Sequence, residues 1–320
     1  MGILDILGLS KLPDPNVGDH QTRKAARIQI AKKKAAKLPD SLDSPFFHDL
    51  LRRWDQAPTL AAPVSQLCTA DQFGEADYTR LCNLFQVQPT LRRKQWEFIY
   101  ILRALEADDC LAPDMRGLGF GVGKEKLPSL LAAQGCNITA TDLPMTEADS
   151  HWAGGPQHAA TLDALCWLHL IDRDEFEKRV EFRPANMKAI PDDLQGYDFC
   201  WSACALEHLG GLDEGFDFIK NSIACLKPGG LAVHTTEFNL GSDKKTLTEG
   251  GTVVYCEKDI LQFAEEMRAE GHQIELNLSP GATPTDRMID RFRDNDIHIR
   301  LYVMHQVPAT SIGLTVRKAG

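Results

Sequence analysis

From about residue 111 onward, short hydrophobic segments typical of strands alternate with segments of helical periodicity. The predicted strands are, in order, MRGLGF, NITATD, VEFRPA, YDFCWS, LAVHTTEF, IELNLS and SIGLTVRK. Among the helices predicted between them, 214–226 ends at KPGG and 259–271 ends at a glycine, as helices commonly do. Because strands that alternate with helices form a parallel sheet covered on both faces, this part of the chain predicts a doubly wound α/β fold.

The N-terminal third of the chain has a different pattern, with no convincing strand and three predicted helices. These are a basic helix over 24–38, a short helix over 46–54 and a long helix over 91–107 whose apolar residues recur at helical spacing. We therefore predict a helical N-terminal extension or cap over residues 1–108 and a second, ligand-binding domain over residues 109–320.

Composition narrows the range of functions. The 320 residues carry a net charge of -10 with an isoelectric point near 5.5, which argues against a nucleic-acid binder that works through phosphate attraction. The nine cysteines form no CxxC pair, no signal peptide is recognised, and no apolar run is long enough to cross a membrane. These features predict a cytoplasmic protein with reduced thiols and no membrane partner.

The segment GLGFGVGKEK (117–126) places four glycines at alternate positions. It lies at the first strand-to-helix turn of the predicted sheet, where ligands collect at the carboxyl ends of the strands. A dinucleotide site would require the spacing GxGxxG. Counting from Gly117 the sixth residue is Val122, and counting from Gly119 it is Lys124, so neither start fits.

The spacing GxGxG at Gly119, Gly121 and Gly123 instead resembles motif I of the class I S-adenosylmethionine (SAM)-dependent methyltransferases. Asp142 then ends the second predicted strand, and YDFCWSACALEHLGG and CLKPGGLAVHTTEF are similar to the fourth and fifth strand segments of that family. The resemblance extends over about residues 90–318. It implies a Rossmann-like, mostly parallel sheet of seven strands, SAM as the cofactor and methyl transfer as the activity.

The resemblance also implies which residues bind the cofactor. The backbone of the glycine turn passes under the amino acid part of SAM, the Asp142 carboxylate accepts hydrogen bonds from both ribose hydroxyls, and Asn186 and Met187 lie beside the adenine. The predicted set is Gly119, Phe120, Gly121, Gly123, Asp142, Leu143, Asn186, Met187 and Ser202. An ordinary turn aspartate and an ordinary loop stay open as alternatives for Asp142 and for the Asn186–Met187 pair.

One position departs from the family pattern. Motif I usually carries an acid two places before its first glycine, positioned to meet the SAM ammonium, and this chain has Gly117 there. Glu97, Asp114 or a backbone carbonyl are the candidates to replace that acid. Glu125 is interpreted as lying one turn into the following helix, where its charge stabilises the helix N-terminus.

A methyl acceptor that is a hydroxyl or an amine must lose a proton, which calls for a general base. His208, in the EH pair directly after the fourth strand, is the leading candidate, with Glu207 beside it and with His234 and Glu237 in reserve. A buried structural histidine is an equally weighted alternative. The four side chains match no compact metal motif, so no metal is predicted.

The acceptor is predicted to be a small or carbohydrate-like molecule methylated on oxygen. The fourth strand is followed by SACA rather than by the [DN]PP[YF] motif of enzymes that methylate bases, which disfavours nucleic acid. A protein acceptor and a catalytically inactive SAM-binding scaffold are the alternatives. The connection 279–310 is expected to form part of the acceptor pocket, with Arg287, Arg291, Arg293 and His298 either binding substrate or pairing with nearby aspartates.

Overall fold

The computed structural model describes residues 29–144, 161–292 and 295–320, and its centre is one sheet of nine strands. The strands are β1 (Ser65–Leu67), β2 (Arg116–Gly119), β3 (Asn137–Asp142), β4 (Val180–Pro184), β5 (Tyr197–Ala203), β6 (Leu226–Asn239), β7 (Leu276–Asn277), β8 (Leu301–Val303) and β9 (Val307–Arg317). Their order in the sheet is β4-β3-β2-β5-β6-β9-β1-β7, and β8 pairs with β9.

Eight helices with complete bounds connect or cover these strands in the described part of the chain. They are α1 (Pro45–Arg53), α2 (Ala76–Leu84), α3 (Arg93–Ala107), α4 (Leu127–Ala133), α5 (Arg173–Arg179), α6 (Leu212–Ala224), α7 (Glu257–Ala269) and α8 (Pro284–Arg287). Of the basic helix predicted over 24–38, residues 29–35 are helical, and residues 24–28 lie outside the described ranges.

The predicted doubly wound, mostly parallel sheet is confirmed. Strands β4, β3, β2, β5 and β6 run parallel, and β9 returns antiparallel against β6. The sheet has nine strands where seven were predicted, because β1 inserts between β9 and β7 and β8 adds a hairpin to β9. The parallel strands end at one edge, so the residues that follow β2, β3 and β5 lie close together.

Two hydrophobic cores cover the two faces of this sheet. Successive residues of a strand point to opposite faces, and in β5 the side chain of Cys200 packs in one core while Phe199 and Trp201 pack in the other. Helices α3, α4 and α5 bury their apolar residues in the core that holds Trp201, and α6 and α7 bury theirs on the opposite face. The near-continuous burial of β5 is typical of a parallel strand covered on both sides.

The prediction that the N-terminal third lacks a strand was wrong, because β1 lies inside the sheet, antiparallel to β9 and parallel to β7. A strand of three residues is too short to show a period-two pattern. Helix α3 packs on β9 at Gly313, where an added Cβ would overlap the ring of Tyr100. The Tyr100 hydroxyl lies 2.7 Å from both Val64 O and Thr315 Oγ1, which ties the N-terminal segment to the sheet. The domain boundary at residue 108 stays a prediction.

None of the nine cysteines forms a disulfide. Within the described residues, no helix combines the length and the apolar character that crossing a bilayer requires.

Candidate active site

The glycine turn, residues 117–123, uses its four glycines for two different purposes. A Cβ at Gly117 would overlap the ring of Phe199, and one at Gly119 would overlap the indole of Trp201. Gly121 and Gly123 have φ values of 57° and 53°, in the left-handed region that favours glycine. The first pair therefore lets β2 pack against large aromatic residues of β5, and the second pair makes the turn.

Asp142, at the end of β3, contacts this turn directly. Its Oδ2 accepts a hydrogen bond of 3.2 Å from the backbone N–H of Gly123, and its Oδ1 accepts one of 2.8 Å from the N–H of Leu143. The structure thus brings together two sequence features that are 19 residues apart. Gly121, Gly123 and Asp142 all line one cavity.

The cavity has a volume of about 630 Å³, within the range of small-molecule sites. Its walls come from the glycine turn, from the residues that follow β5, and from the N-terminal half of α3 with the loop before it. Phe85, Phe98 and Trp167 contribute aromatic surface. The cavity therefore lies at the carboxyl edge of the parallel strands, where ligands of this fold class bind.

Among the described residues that line the cavity, basic side chains outnumber acidic ones, although the whole chain is acidic with a net charge of -10. Its charged lining consists of Arg92, Lys94, Lys124, Lys126, Glu125 and Asp142. Lys94 Nζ lies 5.4 Å from the centre of the Phe98 ring, and Lys126 Nζ lies 5.1 Å from that of Trp167. Burial lowers the pKa of Lys126. The lining suits a ligand with an anionic group.

His208 is the predicted catalytic residue that does reach this cavity. It ends the short 3-10 helix Leu206–His208, and its Nδ1 lies 2.8 Å from the carbonyl oxygen of Gly251. Since a carbonyl can only accept, this hydrogen bond fixes the proton of the neutral ring on Nδ1. Nε2 is then the basic nitrogen, and Glu207 Oε1 lies 4.0 Å from it.

Glu207 belongs to a cluster with the buried Glu237 and with Cys204, which lines the cavity. The Cys204, Glu207 and Glu237 side chains each place one potential ligand atom within 4.8 Å of the others. The Arg93 guanidinium lies 2.7 Å from Glu237 Oε1, yet burial still raises the pKa of Glu237 above its usual value. The Arg93 guanidinium therefore already provides a positive charge beside one carboxylate of this cluster. The absence of a metal stays a prediction.

The prediction that His234 and Ser202 contact ligands is wrong. Both side chains are fully buried on the α6 face of the sheet, where His234 Nδ1 lies 2.9 Å from Ser202 Oγ and His234 Nε2 lies 3.0 Å from Ser222 Oγ. Burial lowers the pKa of His234 to about 3. His234 is thus the buried, hydrogen-bonded histidine that was the alternative interpretation, and strand alternation placed it on the far face.

Four other residues predicted to contact the cofactor are not among the described residues that line the cavity, namely Phe120, Leu143, Asn186 and Met187. The Phe120 side chain is fully buried against Phe218, so a cofactor contact by that side chain is excluded. Asn186 Oδ1 accepts a hydrogen bond from Lys188 N within its own loop, and Met187 packs against Gly121. The roles proposed for Asn186, Met187 and Leu143 stay predictions.

Neither Glu97 nor Asp114 is placed to replace the missing motif I acid, because Glu97 is paired with other residues and Asp114 lies far from the glycine turn. Glu97 is fully buried, with Lys94 Nζ 2.9 Å from its Oε2 and with Ser311 Oγ donating to its Oε1 over 2.6 Å. Although burial opposes ionisation, Lys94 and Arg93 lower the pKa of Glu97 below its usual value. Asp114 precedes β2, so it lies at the opposite edge of the sheet from the turn, and 82% of its side chain is exposed.

Glu125 has a different position from the one predicted. Helix α4 begins at Leu127, so Glu125 precedes the helix instead of lying one turn inside it. Its side chain lines the cavity, and Trp201 Nε1 donates a hydrogen bond of 2.7 Å to its Oε1. Burial raises the pKa of Glu125 to about 8, although the Trp201 hydrogen bond and Lys94 act in the opposite direction.

The connection 279–310 does not line this cavity in its described part, which corrects its predicted role. Its charged side chains contact one another or the N-terminal segment instead. Asp286 pairs with the fully buried Arg300 over 3.1 Å, His298 with Asp290 over 2.6 Å, and Arg291 donates to the carbonyl of Leu38. Arg293 lies outside the described residues.

Sequence reasoning missed Lys94, Phe98, Trp167 and Glu125 as lining residues. Lys94 and Phe98 are one helical turn apart and share a face of α3, a spacing that was available in the sequence. The acid of GKEK was visible too, but only the start of α4 at Leu127 shows where it lies. Trp167 carries no motif, and tertiary folding alone brings it to the cavity.

No protein-family model and no curated protein sequence matches the chain. The chain is similar to a structure described as a putative sarcosine dimethylglycine methyltransferase from Galdieria sulphuraria, with 14% identity over 74% of this chain and 89% of that one and a TM-score of 0.44. It is also similar to magnesium protoporphyrin IX methyltransferase from Synechocystis, with 12% identity, coverages of 78% and 97%, and a TM-score of 0.39. The CcbJ methyltransferase from Streptomyces caelestis gives 15% identity, coverages of 71% and 94%, and a TM-score of 0.39. At such values, the substrates of those proteins say nothing about the substrate of this chain.

Proposed function

We propose that the protein is a SAM-dependent methyltransferase that methylates an oxygen atom of a small or carbohydrate-like acceptor. One observation carries the proposal. The glycine turn, the Asp142 carboxylate and the His208 imidazole line the same cavity at the carboxyl edge of a doubly wound sheet. The turn and Asp142 provide the cofactor side of that cavity, and His208 provides the acceptor side.

SAM would supply a methyl group on a positively charged sulfur, which needs alignment with an acceptor more than activation. In our proposal, the turn at Gly121 lets the backbone approach the cofactor closely, and the Asp142 carboxylate accepts hydrogen bonds from its ribose. His208 takes the acceptor's proton at Nε2, while Gly251 holds Nδ1. The Glu207 carboxylate, 4.0 Å away, stabilises the imidazolium that forms.

The shape and chemistry of the cavity favour a small acceptor. It is a concave site of about 630 Å³ with aromatic surface from Phe85, Phe98 and Trp167, and flat apolar surfaces of this kind stack against sugar or aromatic rings. A hydroxyl acceptor must lose a proton on methylation, and in our proposal His208 accepts that proton.

We also infer that the N-terminal segment up to residue 108 covers the bound ligands. Residues of α3 and of the loop before it, from Phe85 to Ile99, contribute one side of the cavity. A cap of this kind excludes water and holds acceptor and cofactor together.

The proposal is tested by incubating the purified protein with SAM and with two fractions of a cell extract, one of low molecular weight and one of macromolecules. S-adenosylhomocysteine (SAH) formed with the small-molecule fraction, together with a methyl ether among the products, is the expected result. SAH formed only with the macromolecular fraction would indicate a protein or nucleic-acid acceptor. Binding of SAM without SAH in either fraction would indicate a scaffold.

A further inference from the structure

The Glu125 carboxyl group forms part of the cavity wall without an ion-pair partner among the described residues. The positive charge of Lys94 on α3 acts to lower the pKa of Glu125. That ammonium group lies 2.9 Å from Glu97 Oε2 and donates to the carbonyl of Ala203 over 3.3 Å. Lys94 therefore already contacts two other acceptors, and none of the described residues forms an ion pair with the Glu125 carboxyl group.

The carboxyl group is nevertheless held in place. Trp201 Nε1 donates to its Oε1 over 2.7 Å, and the Trp201 indole is itself fully buried against Gly119. A positioned carboxyl group that lines a ligand cavity is suited to recognise a cationic group, because a buried charge needs both a hydrogen-bond donor and an opposite charge.

Other charged groups near Glu125 do not provide that opposite charge. Asp142 at the end of β3 and Glu97 on α3 are both acidic and oppose its ionisation. On its own segment, Lys126 Nζ lies 3.1 Å from His169 Nε2 and 3.4 Å from the carbonyl of Phe85, and Lys124 is exposed. Without ligand, burial raises the pKa of Glu125 to about 8, so the group is protonated at neutral pH.

We propose that Glu125 binds the positively charged amino group of the methionine part of SAM and loses its own proton when SAM binds. This inference rests on the proposed function. The Glu125 proton passes to solvent, the ligand ammonium keeps its protons, and an N–H···O contact between opposite charges forms in the cavity. The ammonium favours the ionised carboxylate by direct attraction, and Trp201 keeps one of its oxygens hydrogen-bonded.

The test is calorimetric titration of the wild-type protein with SAH, which carries the same amino group as SAM. Titrations are made between about pH 5.5 and pH 7, where most α-amino groups keep their proton. Two buffers of different ionisation enthalpy reveal how many protons are released. We expect release of about one proton per SAH, and an affinity that rises with pH by up to about tenfold per pH unit.

The matched ligand is the deamino analogue of SAH, in which hydrogen replaces the amino group. It should bind without proton release and without this pH dependence. The matched variant is Glu125→Gln, which keeps an oxygen for Trp201 but cannot ionise. It should weaken SAH about 10- to 100-fold, leave the deamino analogue unaffected and abolish proton release.

Two results would overturn the role of Glu125. One is SAH binding to the wild type with no proton released, and the other is an equal preference for SAH over its deamino analogue in wild type and variant. The comparison of the two ligands on the wild type decides the question even if the variant does not fold. Failure of the wild type to bind either SAM or SAH would be a different result, since it would overturn the proposed function together with this inference.

Discussion

Gly123 and Asp142 are joined by a hydrogen bond of 3.2 Å from the backbone N–H of the glycine to Oδ2 of the aspartate. Because the other carboxylate oxygen accepts from Leu143 N, the side chain is fixed relative to the turn. Asp142 therefore holds the glycine turn in place and also lines the cavity.

We expect Asp142→Asn to weaken SAM binding about 10- to 100-fold, because a hydrogen bond to a charged acceptor contributes about 1.5–3 kcal/mol. Asp198→Asn is the matched control. Its carboxylate also accepts a backbone N–H, that of Arg116 over 2.8 Å, but at the opposite edge of the sheet. Calorimetry on both variants checks this, and equal affinities would remove Asp142 from the site.

The glycines of the turn are expected to respond differently to alanine. Gly119→Ala forces a Cβ into the Trp201 indole and the Val122 side chain, so it should lower the free energy of unfolding by about 2 kcal/mol or more. Gly121→Ala places the Cβ 3.0 Å from Ala205 Cβ and imposes a left-handed conformation, which costs about 1–2 kcal/mol. Denaturant titration compares the two variants. A Gly119→Ala variant whose free energy of unfolding equals or exceeds that of the wild type would contradict the packing role of Gly119.

His208→Asn should lower kcat about 10²- to 10⁴-fold while SAM affinity changes little, since His208 lies on the proposed acceptor side of the cavity. Single-turnover rates at equal SAM saturation measure the loss of rate, and calorimetry with SAM measures the affinity. Unchanged rates would mean that alignment alone drives the transfer.

His234 is expected to matter for acid stability and not for catalysis. Its folded-state pKa of about 3 lies below the ordinary value of 6.5, so the unfolded chain binds the extra proton and stability falls as pH drops from 6.5 towards 3. His234→Leu should lower the free energy of unfolding at neutral pH by about 1–3 kcal/mol, because it leaves the Ser202 and Ser222 hydroxyls without this partner. The variant should also lose part of the acid sensitivity. Urea titrations at several pH values test this, and an unchanged pH profile would count against it.

The sequence predicted the fold well where patterns were long. The bounds of β3 were predicted without error, and the strand–helix alternation predicted a mostly parallel sheet, which β4, β3, β2, β5 and β6 form. β1 was missed because three residues carry too little pattern, and it is specified by its partners β9 and β7. Local propensity cannot reveal such pairing.

The site was predictable as far as main-chain geometry determined it. Gly121, Gly123 and Asp142 were predicted from the place of the glycine turn in the sheet and from the resemblance to motif I, and the structure brings them together. The roles of the side chains near β5 and β6 were harder to predict, because they depend on the face of the sheet to which each side chain points. His208 follows β5 and reaches the cavity, whereas His234 within β6 points into the opposite core.

Hydrogen–deuterium exchange with and without SAM is the most direct measurement of where the cofactor binds. A cofactor bound in this cavity should slow exchange at 119–126, at 203–208 and across 91–105, with helix α7 as an internal reference that does not change. Binding of SAM that leaves 119–126 unprotected, or an absence of any SAM binding, would contradict the assignment of this cavity as a methyltransferase active site.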